Sequence, residues 1–186
     1  IEYNGKIFQG CSSLDFLEAD QILIPLEKLY RRYTGESLAV KLSDFADVSE
    51  RIQYLVTQVE EITKIDNFGA YLTAMLEIDA FFMNEDRHTN NIAVIYNEKT
   101  QKYELSPFFD QGLCMFADIN QDYPIDQSLE YCLEKIEAKP FSSDFDIQLD
   151  AAEELYGIQI GFQFTFKDIQ IYLQKNSENY PREVIR

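Results

Sequence analysis

Polar side chains that could bind a metal ion or move a proton are concentrated in two short stretches of the chain. The first is Asn-Glu-Asp-Arg-His-Thr-Asn-Asn at residues 84–91, and the second is Asp-Gln-Gly at residues 110–112. Asp86, Asn91 and Asp110 would together offer two carboxylates and one amide oxygen. Such a hard-oxygen set suits Mg²⁺ when substrate phosphates and waters complete its octahedral coordination.

These residue types match the needs of phosphoryl transfer, in which positioning and charge neutralisation do most of the work. An aspartate such as Asp86 can orient an attacking hydroxyl and accept its proton, while an amide and a second carboxylate hold the Mg²⁺ that bridges the phosphates. His88 is the only histidine, and no cysteine is close to it in the sequence, so we do not expect a zinc site.

A predicted β-hairpin would bring the two stretches together. Residues 92–96 and 103–105 are strand-like, and a polar turn separates them. In a hairpin the turn determines which positions face each other. Asn91 precedes the first strand and Asp110 follows the second, so both are expected at the open end. Asp86 is five residues before Asn91, and a tight loop would bring it beside that pair.

The rest of the chain is predicted to be mostly helical. Residues 67 to about 83 form a helix that is apolar on most sides, and such a helix belongs in a core. No repeat, low-complexity tract or linker is present, so we expect one mainly helical α+β unit with small β-hairpins. The other expected elements are a hairpin at Asn4-Gly5, a helix from Pro25 to Thr34, a helix capped by Asp47, helices at about 128–138, 146–156 and 166–174, and a buried strand edge or core packing at Phe162, Phe164 and Phe166.

Composition and charge exclude several classes of partner. The chain is globular in type, with 46% hydrophobic residues, and its formal net charge is −17. That charge argues against direct binding to nucleic acid, which needs lysine and arginine to displace counterions, and it disfavours anionic membrane surfaces. No apolar run is long enough to span a bilayer, and no secretory signal is present. Three widely spaced cysteines fit a reduced, cytoplasmic protein.

Both polar stretches resemble motifs of a known family. Residues 84–91 are similar to the catalytic loop of HipA-like serine/threonine kinases, whose pattern is Asn-x-Asp-x-His-x-x-Asn, and the Asp-Arg-His within them resembles the loop of phosphatidylinositol kinases. Residues 105–110 (Leu-Ser-Pro-Phe-Phe-Asp) look like the metal-binding segment of HipA-like kinases. Residues 139–141 (Lys-Pro-Phe) resemble a later segment more weakly. The resemblance covers about residues 10–175, and residues 84–112 are its specific part.

Carried over by position, the resemblance implies an ATP and Mg²⁺ site made from five residues. Asp86 would be the catalytic base, and His88 would be a second residue of the catalytic loop that supports it. Asn91 and Asp110 would bind Mg²⁺ and, with it, ATP. Ser12 would lie in the hinge between two lobes, where backbone groups meet the adenine.

The resemblance also implies a fold. Residues 17–186 would form the large helical C-terminal lobe of a protein-kinase-like fold, and residues 1–16 would be the end of the N-lobe and the hinge. Kinases of this family use a lysine on an early strand and a covering loop to hold the phosphates. Lys6 is the only basic residue ahead of the hinge, and the chain begins at Ile1. We therefore expect a C-lobe whose N-lobe lies upstream or on a partner chain.

The implied activity is transfer of the γ-phosphoryl group of ATP to a hydroxyl of a protein substrate. The family includes toxins of bacterial toxin–antitoxin pairs, so an antitoxin partner that makes any DNA contact is also implied. Two other functions stay open. One is a kinase-like binding module without catalysis, which the missing lysine favours and the retained Asp86, Asn91 and Asp110 disfavour. The other is a kinase that acts on a lipid or a small molecule.

Overall fold

The computed structural model describes residues 2–7, 13–175 and 177. Within them the chain is α+β, with seven helices, a three-stranded antiparallel sheet and a two-stranded hairpin. The expected class, a mainly helical α+β chain with small hairpins, is confirmed at this level. No helix in these residues is long and apolar enough to cross a membrane. Ser12 lies outside the described residues, as does most of the predicted hinge.

The predicted helices and both predicted hairpins are present, with ends that differ by a few residues, and two elements were not predicted. These two are β3 (Gln21–Pro25) and α2 (Leu38–Ser43). The other strands are β1 (Glu2–Tyr3), β2 (Lys6–Ile7), β4 (Ala93–Asn97) and β5 (Lys102–Leu105), and the other helices are α1 (Leu26–Thr34), α3 (Val48–Thr63), α4 (Phe68–Phe82), α5 (Leu129–Lys135), α6 (Phe145–Tyr156) and α7 (Phe166–Lys175).

Side-chain caps explain where several helices begin. The carboxylate of Asp47 accepts a hydrogen bond from the backbone N–H of Glu50 at the start of α3. The carboxylate of Asp144 accepts hydrogen bonds from the backbone N–H groups of Asp146 and Ile147 at the start of α6. The hydroxyl of Ser128 accepts a backbone N–H at the start of α5. Each cap satisfies a donor that the first helical turn leaves without a partner. The cap predicted at Asp47 is confirmed.

Contacts divide the described residues into two units. The larger unit spans Leu17–Ile160, and the smaller one contains the described residues before and after it. The larger unit contains the main core and all the predicted site residues except Ser12. The assignment of residues 1–16 to a hinge and of the remainder to a kinase-like lobe stays a prediction.

The sheet of the larger unit places the predicted hairpin beside a third strand. The strand order is β3-β4-β5, and both pairings are antiparallel. Val94 faces Leu105, and Asn97 faces Lys102, so the turn and the open end of the hairpin are where the sequence predicted them. The central strand, β4, is buried over its first three residues. The open end of the hairpin is therefore fixed in the core.

Helix α4 is the centre of the core, as its apolar sequence predicts. It packs against α3 and α6, and Phe68, Leu72, Met75 and Leu76 are completely buried. This helix ends at Phe82, and Met83 follows it in the left-handed conformation with φ 50°. The chain therefore turns sharply at the end of α4 and continues directly into residues 84–91.

The prediction for Phe162, Phe164 and Phe166 is wrong. None of the three lies in a strand, all are exposed, and Phe166 is 79% exposed at the start of α7. The physical reason is a helix cap. Thr165 donates its hydroxyl to the carboxylate of Asp168, and the backbone N–H of Asp168 donates to the Thr165 hydroxyl oxygen. This reciprocal pair begins the helix that was predicted at 166–174, so Phe166 belongs to that helix and not to a strand.

Glu27 joins the first turn of α1 to two other parts of the larger unit. Its carboxylate accepts hydrogen bonds from the backbone N–H of Ala39 and from the side chains of Arg31 and Thr89. Burial alone would raise the pKa of Glu27, but hydrogen bonds from Ser37, Ala39, Thr89 and Arg31 outweigh burial and lower it. Because Thr89 lies within residues 84–91, Glu27 also holds that stretch in place.

We expect Glu27→Gln to lower the free energy of unfolding by about 1 kcal/mol at pH 7, since it weakens hydrogen bonds to a charged acceptor. The folded pKa lies below the ordinary value of 4.5, so this stabilisation is present above that value and is lost as the pH falls through the folded pKa. Urea unfolding at pH 7 and at successively lower pH, with exposed Glu36→Gln as the control, measures it. A stability difference that stays the same at every pH would contradict the prediction.

Candidate active site

Asp86 and Asn91 lie in contact within one tight loop. The backbone N–H of His88 donates to the Asp86 carbonyl at 2.9 Å, and the N–H of Asn91 donates to the His88 carbonyl at 2.8 Å. These two bonds fold the loop back on itself. The Asn91 side-chain Nδ2 then donates to the Asp86 carbonyl at 3.0 Å and to the carboxylate Oδ2 at 3.4 Å. The sequence predicts that Asp86, Asn91 and Asp110 form one set of oxygen ligands, and the structure brings Asp86 and Asn91 together.

A buried ion pair joins this loop to helix α4. Arg87 is completely buried, and its guanidinium binds Asp79 of α4 through Nε to Oδ2 at 2.6 Å and through Nη2 to Oδ1 at 2.9 Å. Asn84 is also buried and donates to Asp79 Oδ1 at 2.7 Å. A buried charge needs both a partner and hydrogen bonds, and Asp79 has both. The loop is therefore fixed to the central helix by its own arginine.

The same arginine joins the two predicted stretches. Arg87 Nη1 donates to the Asn91 carbonyl at 2.6 Å and to the Phe109 carbonyl at 3.1 Å. Asp110 follows Phe109 directly, and its side chain is exposed at the surface of this junction. Its backbone is in the left-handed region with φ 56°, which aspartate tolerates better than most residues. The backbone that leads to Asp110 and the backbone of Asn91 therefore meet at one nitrogen atom.

Two further groups that can be positively charged face the Asp86 carboxylate. His88 Nε2 and Lys139 Nζ each lie 3.8 Å from Asp86 Oδ1. His88 Nδ1 is buried and has no hydrogen-bond partner among the described residues. His88 thus lies against the predicted base, as a residue that supports the loop would. Lys139 was not predicted to belong to the site.

Ser106 holds the base of the hairpin beneath the site. Its hydroxyl donates to the Ala93 carbonyl at 3.0 Å and lies 3.1 Å from the hydroxyl of Tyr71 on α4. Burial is the main cause that raises the pKa of Tyr71, so this phenol stays protonated and available for hydrogen bonding. The stretch that ends in Asp110 is therefore fixed both to β4 and to α4.

The chain after Asp110 stays beside residues 84–91. The backbone N–H of Glu85 donates to the Leu113 carbonyl at 3.2 Å, and the N–H of Met115 donates to the Phe82 carbonyl at 2.9 Å. The Tyr123 hydroxyl donates to the Glu85 carboxylate, and burial followed by this hydrogen bond raises the pKa of Tyr123. Glu85 immediately precedes Asp86, so the hydrogen bond from Tyr123 holds the loop next to Asp86.

Three site-supporting residues were missed in the sequence, namely Asp79, Arg87 and Lys139. A signal for the first two was present, because Asp79 lies in a helix that is apolar on most sides and a carboxylate there requires a cation or hydrogen-bond donors as partners. Arg87 is eight residues further on and is the partner that was needed. Lys139 gave no local signal, since it approaches Asp86 from a distant part of the chain.

The oxygen donors near the loop fit Mg²⁺ shared with phosphates better than a metal held by protein alone. The amide nitrogen of Asn91 is used by Asp86, which leaves the amide oxygen as a ligand, and Asp110 offers an exposed carboxylate. In the described part of the chain no group of three His, Cys, Asp or Glu residues could hold a metal ion. Mg²⁺ commonly takes one or two protein oxygens and completes its shell with phosphates and water.

No family model, curated protein or solved structure matches the chain, so the evidence for function is the geometry of these residues.

Proposed function

We propose that the chain is the helical lobe of a Mg²⁺-dependent phosphotransferase that uses ATP and resembles HipA-like serine/threonine kinases. The observation that supports this most strongly is the convergence at Arg87. One buried guanidinium nitrogen binds the loop that contains Asp86 and Asn91 and also the segment that leads into Asp110. Phosphoryl transfer depends on a base and metal ligands held in fixed relative positions, and this arrangement would hold them.

In this proposal Asp86 orients an acceptor hydroxyl and accepts its proton. The acceptor oxygen forms a bond to the γ-phosphorus as the bond between that phosphorus and the ADP oxygen breaks, and ADP leaves. Asn91 and Asp110 hold Mg²⁺, which neutralises charge on the phosphates when bound. His88 supports Asp86 from 3.8 Å away. Ser12 is part of the same proposal as a nucleotide contact.

The acceptor in this proposal is a serine or threonine of a protein. A net charge of −17 makes an anionic lipid an awkward substrate, whereas it would attract a basic protein segment. The acidic chain would also reach DNA only through a partner, as a toxin bound by a DNA-binding antitoxin would. ATP as the phosphate donor and cysteines without a disulfide pattern favour the cytoplasm for this activity.

We expect Asp110→Asn to weaken binding of Mg·ATP by at least about tenfold, because it removes the charge of a proposed metal ligand. Asp110 is exposed, so the melting temperature should stay unchanged. Calorimetric titration of the full chain with ATP, with and without Mg²⁺, measures the effect. Asp20→Asn is the matched control, since Asp20 directly precedes β3 at the turn end of the sheet, away from the site. Equal affinity of the Asp110→Asn and wild-type chains would remove Asp110 from the site.

A further inference from the structure

Lys139 brings a positive charge to the carboxylate proposed to act as the base. Its Nζ lies 3.8 Å from Asp86 Oδ1, and the lysine side chain is half exposed. The chain has 33 acidic and only 16 basic residues, so the charge around a carboxylate is more often negative than positive. Among the ion pairs found in the described residues, this is the one that brings a lysine to Asp86.

The backbone on both sides of Lys139 is fixed in the core. Ala138 is 3% exposed, and its N–H donates to the Ser143 carbonyl at 2.8 Å. Phe141 is completely buried, and its carbonyl accepts a hydrogen bond from Arg51 Nη1 of α3 at 2.6 Å. The segment therefore presents Lys139 at a fixed position beside the catalytic loop, while the flexible side chain can still move its ammonium group by a few ångströms.

An ion pair between half-exposed groups contributes little to stability, so folding alone gives no reason for a lysine at this position. Phosphoryl transfer does give one. The acceptor hydroxyl must lie within hydrogen-bonding distance of Asp86, and the transferred group spreads negative charge over three oxygens next to that hydroxyl. A cation within 4 Å of Asp86 is close enough to contact those oxygens. Lysine is a common phosphate ligand, which acts as a mobile point charge.

We propose that Lys139 is a phosphate-contacting residue that binds the γ-phosphoryl group as it approaches the acceptor on Asp86. This inference depends on the proposed phosphotransferase function and extends it to a segment far from the catalytic loop in the sequence. Its consequence is selectivity: Lys139 contacts the phosphoryl group that ATP has and ADP lacks. Lys139 therefore contributes to binding of ATP and not to binding of ADP.

The experiment compares Mg·ATP with Mg·ADP in binding titrations of the full chain. Lys139→Met is expected to weaken Mg·ATP about tenfold and to leave Mg·ADP within about twofold, since a charge-assisted contact to one phosphoryl group is lost. Lys139→Arg should retain most of the affinity for Mg·ATP, because it keeps the charge. Lys102→Met is the control, since Lys102 is an exposed lysine at the turn end of the β4–β5 hairpin, away from Asp86. Melting temperatures confirm that each variant is folded.

Each outcome separates the inference from the function on which it depends. If the full-length wild-type protein binds neither nucleotide, the phosphotransferase proposal and the role of Lys139 are both wrong. If the wild type binds Mg·ATP but Lys139→Met leaves both affinities unchanged, only the role of Lys139 is wrong. An equal loss for ATP and ADP also overturns it, because the contact would then lie elsewhere on the nucleotide.

Discussion

Replacement of Arg87 by methionine is expected to lower the free energy of unfolding of the larger unit by about 3–5 kcal/mol. The substitution leaves the Asp79 carboxylate buried without its cationic partner, and Asp79 is only 1% exposed. It also removes the donor that the carbonyls of Asn91 and Phe109 share. Each of these losses leaves a polar group without a partner in a place that water reaches poorly, so the losses act in the same direction.

Urea unfolding followed by circular dichroism measures this effect. Arg31→Met is the matched control, because Arg31 also pairs with a carboxylate but is 62% exposed, and we expect it to cost less than about 1 kcal/mol. The double variant Arg87→Met with Asp79→Leu should be more stable than Arg87→Met alone, since no buried charge is left unpaired. A loss of stability as small as that of Arg31→Met would mean that the pair does not hold the loop.

Replacement of Asp86 by asparagine is expected to reduce phosphoryl transfer by about 10²–10⁴-fold, which is the usual contribution of a general base. The fold should survive, because Asn91 donates to the backbone carbonyl of Asp86 at 3.0 Å, and the substitution keeps that carbonyl. Binding of Mg·ATP should change little, since the metal ligands in the proposal are Asn91 and Asp110. The variant thus separates catalysis from binding.

Transfer of radiolabelled γ-phosphate to protein, lipid and small-molecule acceptors is the appropriate measurement, with Asp20→Asn as the control. A rate for Asp86→Asn close to that of the wild type would rule out Asp86 as the base. If the wild-type chain binds Mg·ATP and transfers phosphate to none of these acceptors, a kinase-like binding module becomes the better account. Transfer to a lipid or a small molecule alone would change the acceptor and leave the roles of the site residues as proposed.

Local apolar patterns were sufficient to predict the two longest helices of the core. Helices α3 and α4 repeat apolar residues over 15 or 16 positions, and a pattern of that length leaves few alternatives. Strand β3 has only five residues, one of which is proline, and its partner β4 is about 70 residues later in the chain. A short strand whose pairing is entirely non-local has no signature that separates it from a loop or from a helix start. It was therefore missed.

In the site, too, contacts between residues close in sequence could be predicted, and contacts between separate elements could not. Asp86 and Asn91 are close in sequence, so their contact could be predicted from spacing. The hairpin brings the segment that ends at Phe109 to the backbone of Asn91, where both bind Arg87. The role of Asp110 stays a prediction. The ion pair between Asp79 and Arg87 joins a helix to the loop that follows it, so the immediate neighbours of either residue do not indicate it. A carboxylate in a buried helix nevertheless implies a partner. Contacts of this kind become predictable when buried charges are treated in pairs.

The ring of His88 next to Asp86 has a practical consequence. No other imidazole exists in the chain, so the two carbon-bound protons of the His88 ring are the only imidazole resonances of its proton NMR spectrum. A nucleotide, metal ion or acceptor that arrives at Asp86 would change these frequencies, whereas a ligand bound at the far end of the sheet would leave them unchanged. His88 is therefore a natural NMR probe 3.8 Å from the carboxylate that would accept the proton in the proposed reaction.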